Sequence, residues 1–355
     1  MKKIILAEYQ GRQDINGKAV GHGPKVLGEY AGLIKDEYEL TILAPRCILK
    51  AASSDGRRGS KVLPHSIVMK SGNSLFEKIF NKIKMFANIN IVLKSDAAET
   101  VWFFNTEFYL MLYLALFGNK NKNIICTLFM ENFGSGLRGA LKQRIFEAAQ
   151  KRMSLIISTG PGFCFKNVPY VFIPDYYCDE EEYAPYRKAV RKRQAVCLGT
   201  MGAEKQLEEL VESFKRIGYP LVIAGRFYDK ERLLRLNESA ADNITIRDEY
   251  LSREEYLTLL GESSFVVLPY SAAQYATQTS GVLQEAVFMD TVAIAHKAVL
   301  EGNRIAGIAY DELKYLDKDL LEKDTAGCRK EYTRLRKELY SKEAMAKELC
   351  KNLSL

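Results

Sequence analysis

The residues best suited to chemistry lie in a strand, loop, helix and strand near residue 280. Phe265–Leu268 and Thr291–Ala295 are short apolar runs, as expected for parallel strands buried on both faces. Between them the pattern predicts a helix that begins at Thr279-Ser280-Gly281, where Ser280 can cap free N–H groups and Gly281 leaves room for a ligand. A helix start without an acidic first turn, preceded by small residues, can hold a phosphate.

Glu285 lies one turn further along this predicted helix. A carboxylate at that place could accept both hydroxyls of a ribose whose diphosphate rests on the preceding turn, so the stretch could bind a nucleotide. The alternative is that Ser280 and Gly281 form only an ordinary helix cap. The sequence leaves both interpretations open.

Composition limits the classes of protein that fit. The chain has 355 residues, of which 47% are hydrophobic and 27% charged, as in globular proteins, and no apolar run is long enough to span a bilayer. Seven scattered cysteines without C-x-x-C spacing argue against disulfides and zinc, and three distant histidines argue against a metal centre. We expect a cytoplasmic protein that needs no metal and no cofactor.

Charge is distributed unevenly along the chain. Residues 1–174 contain 24 basic and 13 acidic side chains, whereas residues 175–355 contain 27 basic and 31 acidic ones. The basic first half suggests an anionic partner, either a membrane surface or a phosphorylated substrate, with a merely solvated surface as the alternative. No nucleic-acid module accompanies the charge, so we do not expect nucleic acid as a partner.

The order of predicted elements indicates two α/β domains. Strands and helices alternate before residue 174 and again after residue 195, which predicts two doubly wound, Rossmann-like parallel sheets facing each other across a cleft. We predict domains at 1–174 and 195–320, a connection at 175–194 and C-terminal helices at 321–355. Within the first domain we expect an exposed loop over Ser53–Lys61 and a strand over Val62–Met69.

Four segments of the second half follow one another in a characteristic order. They are Leu198-Gly199-Thr200 followed by Lys205, Ile223-Ala224-Gly225 followed by Arg226, Ile244-Thr245-Ile246 leading to Tyr250, and Val266-Val267-Leu268-Pro269 leading to Gln284-Glu285-Ala286. In this order they resemble the nucleotide-sugar domain of GT-B glycosyltransferases, specifically the large retaining family 4. The resemblance implies that Lys205 neutralises the donor diphosphate; the alternative is an exposed lysine that opens a helix.

The resemblance also implies the remaining site residues. Catalysis would involve Lys205, Glu285 and Glu131, the donor would contact Gly199, Thr200, Gly225, Arg226, Tyr250, Gln278, Thr279, Ser280, Gly281 and Val282, and the acceptor and diphosphate loop would be Gly21, His22 and Gly23. Glu131 stands where relatives have a histidine. The alternative for Glu131 is a surface acid that caps a helix.

Two departures from the family pattern concern the donor. Thr277 replaces the first of the family's paired glutamates, and Thr200 replaces an arginine. The turn Gln278-Thr279-Ser280-Gly281 is similar to the Gln-Ser-Gly turn of polysaccharide-assembly members, with one residue inserted. We interpret the chain as a member of a variant subgroup of the family.

The resemblance implies a function for the whole chain. It would move a hexose from a nucleoside-diphosphate sugar to a glycan or lipid-linked acceptor with retention, in cell-surface polysaccharide assembly. No metal or enzymic nucleophile is needed, because the leaving diphosphate can take the acceptor's proton. The alternatives are a nucleotide-sugar epimerase on the same fold and a catalytically silent subunit that binds a glycan or another transferase.

A peripheral location on the inner face of the plasma membrane is a further expectation. The segments Leu75–Met85 and Leu137–Met153 are amphipathic and carry several lysines and arginines. They are the expected points of contact with anionic lipid.

Overall fold

The structure, a computed structural model, describes residues 1–20, 23–57, 59–69, 74–118, 121–129, 133–134, 136–160, 165, 167–270 and 280–353. The chain divides into two compact units. The first unit comprises Met1–Asp175 and Met345–Leu355, and the second comprises Tyr176–Ala344.

The first unit contains a parallel sheet with strand β1 in its interior. Its described strands lie in the order β4-β3-β1-β6-β7-β8-β9, and a separate short pair joins β2 to β5. The bounds are β1 Lys2–Ala7, β2 Arg12–Gln13, β3 Tyr38–Pro45, β4 Ser60–Leu63, β5 Ile67–Val68, β6 Thr100–Phe103, β7 Asn123–Leu128, β8 Leu155–Ser158 and β9 Tyr170–Phe172. Burial of β1 on both faces explains its apolar run, Ile4–Ala7.

Helices accompany this sheet. They are α1 Gly23–Ile34, α2 Arg46–Ala51, α3 Leu75–Lys94, α4 Phe108–Phe117 and α5 Gly136–Gln150, with a 3₁₀ turn at Asp55–Arg57. The start of α3 is fixed by a capping box, in which the Ser74 hydroxyl accepts from the Glu77 N–H and the Glu77 carboxylate accepts from the Ser74 N–H.

The second unit repeats the same plan. Its described strands lie in the order β12-β11-β10-β13-β14-β15, all paired in parallel. The bounds are β10 Lys192–Leu198, β11 Leu221–Gly225, β12 Ile244–Asp248, β13 Ser263–Leu268, β14 Val292–His296 and β15 Ile308–Tyr310. Together the two sheets confirm the predicted α/β class with two doubly wound, Rossmann-like folds.

Helices lie before, between and after these strands. They are α6 Glu180–Tyr183, α7 Leu207–Ile217, α8 Lys230–Ser239, α9 Arg253–Glu262, α10 Gly281–Met289, α11 Lys297–Asn303, α12 Lys318–Glu322 and α13 Ala326–Glu338, with 3₁₀ turns at Ala184–Tyr186 and Leu313–Tyr315; α14 spans Lys342–Leu353. α7 shows how sequence sets such a helix: Leu207, Leu210, Val211 and Phe214 share one buried face. Gly218 then ends it in the left-handed conformation.

Both sheets have a topological switch point. From β1 the chain passes first to β3, which pairs with β1 on one side. It reaches β6, the neighbour of β1 on the other side, only after β4. In the second unit β10 lies in the same way between β11 and β13. Open α/β sheets bind ligands at the carboxyl ends of the two strands that flank such a point.

Most described residues of Ser53–Lys61 are exposed, as predicted, but Gly56 is buried and the prediction of a loop throughout is wrong. Asp55–Arg57 forms a 3₁₀ turn against α1, where a Cβ added to Gly56 would lie 3.1 Å from the Gly28 Cα. The two glycines permit a backbone contact that the hydrophilic composition did not suggest. Arg58 lies outside the described residues.

The single strand predicted over Val62–Met69 is also wrong. The chain forms β4 and β5, which pair with different partners, β3 and β2. Pro64 follows the last residue of β4, and a proline cannot donate to a strand ladder.

The C-terminal helices pack through apolar side chains. Tyr332 and Leu335 of α13 and Met345 and Leu349 of α14 are buried. The Tyr332 hydroxyl donates to the carbonyl of Ala306 at 2.6 Å. None of the described helices combines the length and the apolar character that spanning a bilayer demands.

Cysteine side chains are free thiols in the described part of the chain. Cys47, Cys126, Cys178 and Cys197 are buried, and Cys328 and Cys350 are half-buried. Burial raises the pKa of the Cys126 thiol to about 12, so this group is an unreactive core residue.

Candidate functional site

Two glycines form the floor of the switch point in the second unit. Gly199 follows β10 with φ +95°, and Gly225 ends β11 with φ +154°, a conformation that favours glycine. A Cβ on Gly225 would lie 1.8 Å from the Gly199 carbonyl oxygen. Gly225 therefore allows the two strand ends to meet. The turn at Gly199 borders the space beside the end of β10.

Lys205 occupies this space. Its side chain is buried, with 4% of the residue exposed, and Nζ donates to the Leu198 carbonyl at 2.7 Å. Nζ also lies 3.8 Å from the Met201 Sδ and 5.9 Å from the Tyr270 ring centroid. The alternative of an exposed lysine at a helix start is wrong, because Lys205 is buried and α7 begins two residues later.

The charge of Lys205 is not balanced by a carboxylate in the described part of the chain. Its contacts there are a carbonyl oxygen, a thioether and an aromatic ring. A buried ammonium is costly unless an anion accompanies it. An anionic ligand at the carboxyl ends of β10 and β13 would supply the missing charge.

Arg232, which the sequence analysis did not single out, holds the loop that carries Lys205. From α8 its guanidinium donates to the carbonyls of Gly202 at 2.8 Å and Lys205 at 2.7 Å. It is itself fixed by Glu208, at 2.7 Å and 2.5 Å. The only sequence signal was an arginine in a helix, which is too common to identify it.

The start of α10 has the predicted form. Ser280 is buried, and its hydroxyl accepts a long hydrogen bond, 3.4 Å, from the Leu283 N–H. The first turn of α10 has no acidic residue. Among the described residues, a Cβ added to Gly281 would meet only the Tyr176 ring, at 3.9 Å, which leaves room there for a ligand to approach the backbone. Lys205 and this helix start both lie at the carboxyl edge of the sheet.

Glu285 is held in an ion-pair network that the sequence did not reveal. Its Oε1 accepts from Arg253 at 2.6 Å and from the Tyr183 hydroxyl at 3.5 Å, and 17% of its side chain is exposed. Arg253 also donates to Glu182 at 2.7 Å and to the Tyr183 oxygen at 2.7 Å. Burial and the charge of Glu285 together raise the pKa of Tyr183 far above its usual range.

The other predicted donor residues differ in exposure. Thr200 and Arg226 are exposed, and the Arg226 guanidinium lies 5.3 Å from the Tyr228 ring centroid. Tyr250 is 85% exposed, while Val282 is half-buried on α10. Within the described part of the chain, no contact of these four residues indicates a ligand.

Several predicted residues lie outside the described residues: Gly21, His22, Glu131, Thr277, Gln278 and Thr279. Of the predicted acceptor loop, Gly23 is described; it opens α1, and a Cβ added to it would lie 3.9 Å from the Phe104 ring. In the described part of the chain no cluster of three or more His, Cys, Asp or Glu residues could hold a metal ion.

The fold matches solved glycosyltransferases along nearly their whole length. AviGT4, a glycosyltransferase involved in avilamycin A biosynthesis, shares 13% identity with a TM-score of 0.58 over 100% of this chain and 97% of its own. Sucrose-phosphate synthase from Thermosynechococcus elongatus shares 15% identity and a TM-score of 0.68 over 100% and 98%. Anabaena HepE, solved with UDP and glucose, shares 11% identity and a TM-score of 0.65 over 100% of both chains.

These structures have the GT-B fold, and this chain shares it. No family model matches the sequence, and no curated protein matches it. The shared fold comprises two Rossmann-like domains.

Proposed function

We propose that this protein is a glycosyltransferase that moves a hexose from a nucleoside-diphosphate sugar to a glycan or lipid-linked acceptor. The buried ammonium of Lys205 without a carboxylate partner in the described part of the chain carries the proposal. A diphosphate at the β10 and β13 ends would provide its counter-charge and could rest on the N–H groups at the start of α10. HepE, which shares the fold, was solved with UDP and glucose.

The proposed reaction proceeds with retention, as in family 4, and without a metal. The bond between the sugar C1 and the diphosphate oxygen breaks, and its electron pair leaves with the diphosphate. The acceptor oxygen bonds to C1 on the same face, and its proton passes to the departing diphosphate oxygen. Lys205 and the N-terminus of α10 stabilise the charge that develops on that oxygen.

Glu285 is proposed to bind the ribose through its second oxygen. The described contacts of Arg253 and Tyr183 are made to Oε1, and we assign Oε2 to the ribose hydroxyls. The ion pair would then orient the carboxylate for the nucleoside.

A donor panel tests the function. The full chain is incubated with UDP-, GDP- and ADP-sugars, and slow donor hydrolysis together with a thermal shift from the matching nucleoside diphosphate is expected. The absence of both donor hydrolysis and a thermal shift would contradict a transferase. Turnover that changes the sugar without an acceptor would indicate an epimerase, and nucleotide binding without turnover would indicate a silent subunit.

We further propose that the first unit docks on anionic lipid, where a lipid-linked acceptor would be found. Large apolar side chains of α3 are exposed along one face: Leu75, Phe76, Ile79, Phe80 and Ile83. Phe76 is 86% exposed. Soluble proteins rarely expose so many neighbouring apolar side chains without a partner.

Helices α4 and α5 extend this surface. Nζ of Lys82 lies 5.1 Å from the Tyr109 ring centroid, and Nζ of Lys142 lies 5.8 Å from the Phe108 ring centroid, so α3 and α5 both contact the start of α4. On α5, Leu137 is 91% exposed. Apolar side chains with interspersed cations complement an anionic bilayer surface.

Sedimentation with phosphatidylglycerol vesicles at low salt tests the docking. Changing Lys78, Lys82 and Lys84 to glutamate should lower the pelleted fraction sharply, since each cation contributes about 1 kcal/mol near an anionic surface. The matched control changes the exposed lysines Lys18, Lys50 and Lys61, which lie outside α3, α4 and α5. Equal pelleting of both variants, or none for the wild type, would show a merely solvated surface.

A further inference from the structure

The switch point of the first unit contains a buried carboxyl group that the proposed reaction does not use. Glu8 directly follows β1 and is 3% exposed. Its Oε1 accepts from the N–H groups of Gln10 at 2.7 Å and Gly11 at 3.1 Å. Its Oε2 is buried and has no hydrogen-bond partner among the described residues.

A second acceptor atom lies in the same place. Gln10 is 1% exposed, and its Nε2 donates to the Tyr9 hydroxyl at 3.2 Å, which orients the amide. Its Oε1 is buried and unpartnered within the described part of the chain. Unpaired buried acceptors each cost about 1–3 kcal/mol, so a ligand that donates hydrogen bonds is the natural complement.

Glu8 and Gln10 line a cavity of about 80 Å³ together with Arg12, Phe104, Asn105 and Phe129. Phe104 and Asn105 follow β6, so the cavity lies between the carboxyl ends of β1 and β6. A pocket with aromatic walls and a few placed polar atoms is the usual form of a small-molecule site. Its size suits a hydroxyl or hydroxymethyl group, with the ring to which that group belongs at the mouth.

Charge determines which ligands fit. Arg12 is paired with Glu107, so its charge is already balanced. The unpartnered atoms are both oxygens, which repel phosphate and carboxylate. Burial raises the pKa of the Glu8 carboxyl to about 7, against the opposing effects of the Gly11 and Gln10 N–H groups and Arg12. A neutral donor is therefore favoured over an anion.

We propose that Glu8 and Gln10 form a subsite that binds a hydroxyl group of a neutral sugar. The identification of that sugar as the acceptor rests on the proposed function; the binding itself does not. Glu8 would accept a hydrogen bond from one sugar hydroxyl through Oε2, and Gln10 would accept a hydrogen bond from a second hydroxyl through its Oε1.

The test uses saturation-transfer NMR on the full chain with glucose, galactose, mannose, N-acetylglucosamine and, as an anionic probe, glucose 6-phosphate. Binding of at least one neutral sugar, and weaker binding of the phosphorylated one, is expected. Gln10→Met and Glu8→Leu should each weaken sugar binding by about tenfold or more. The matched surface changes Gln143→Met and Glu147→Gln, on α5, should have no effect.

The two variants separate binding from folding. Glu8→Leu removes the acceptor of two backbone N–H groups and costs stability, whereas Gln10→Met leaves that turn intact. Thermal shift by UDP and GDP, which reports on the second unit, should persist in both variants. If the wild type showed no thermal shift with UDP or GDP, this result would contradict the proposed function but not the sugar subsite.

Two results would overturn the subsite. One is the absence of neutral-sugar binding by the wild type, or equal binding by the wild type and both variants. The other is a thermal shift by Mg²⁺ or Ca²⁺ that Glu8→Leu abolishes, since it would assign the two oxygens to a cation.

Discussion

Replacing Lys205 with methionine tests the central physical claim about the donor site. Methionine keeps most of the length and apolar contact of lysine but removes its charge. A hydrogen bond to a charged group is worth about 1.5–3 kcal/mol, so the affinity for UDP or GDP should fall by roughly 10- to 150-fold. Isothermal titration calorimetry with both nucleotides measures the change.

Stability should change much less than it does in an ordinary core mutation. The variant loses one hydrogen bond to the Leu198 carbonyl, worth about 1 kcal/mol, but also removes a buried charge without a carboxylate partner in the described part of the chain. These effects offset each other, so the melting temperature should change little. Lys215→Met on α7, an exposed lysine, is the matched control and should alter neither quantity.

One result would refute this reasoning. If Lys205→Met kept full nucleotide affinity and melted at a much lower temperature, the ammonium would serve the Leu198 carbonyl and the loop alone. The donor site would then have to be sought elsewhere.

Three further predictions follow from the same geometry. Glu285→Ala should weaken nucleoside-diphosphate binding by about 1.5–3 kcal/mol and leave the fold intact; if Glu285→Ala and Arg253→Ala both lower thermal stability without changing affinity, the carboxylate serves only the ion pair. Gly225→Ala should destabilise the second unit in urea by more than about 3 kcal/mol because its Cβ would clash with backbone, whereas Gly218→Ala, with open space around it, should cost about 1 kcal/mol. Burial raises the pKa of Glu8 from 4.5 to about 7, so between these values the folded state keeps a proton that the unfolded state releases, and stability falls as pH rises. In Glu8→Gln the free energy of unfolding should therefore fall less between pH 4.5 and 7, by up to about 3 kcal/mol. Equal pH profiles of urea unfolding for the wild type and the variant would contradict the assignment.

The sequence predicted the second unit well because its signals are local. Apolar runs identified the strands that became β13 and β14, and Ser280 and Gly281 marked the start of α10, as the structure confirms. Such patterns depend on the neighbouring residues of a single element. Alternation of strands and helices then sufficed for two doubly wound folds, because parallel strands require crossover connections.

Contacts distant in sequence were not predictable in this way. Arg253 pairs with Glu285, and Arg232 holds the Lys205 loop, but neither arginine has a sequence pattern that distinguishes it from a surface residue. The 3₁₀ turn at Asp55–Arg57 likewise packs on α1 through glycines, which in sequence indicate a loop.

By itself, then, the sequence determined the fold class and the glycine-bearing strand ends. Only the tertiary structure decided that Lys205 is buried without a carboxylate partner among the described residues, and that Glu8 and Gln10 meet at one cavity. The physical reason is that burial and pairing depend on which strands become neighbours. β10 pairs with β13, and β1 pairs with β6, only when the sheets assemble around their switch points.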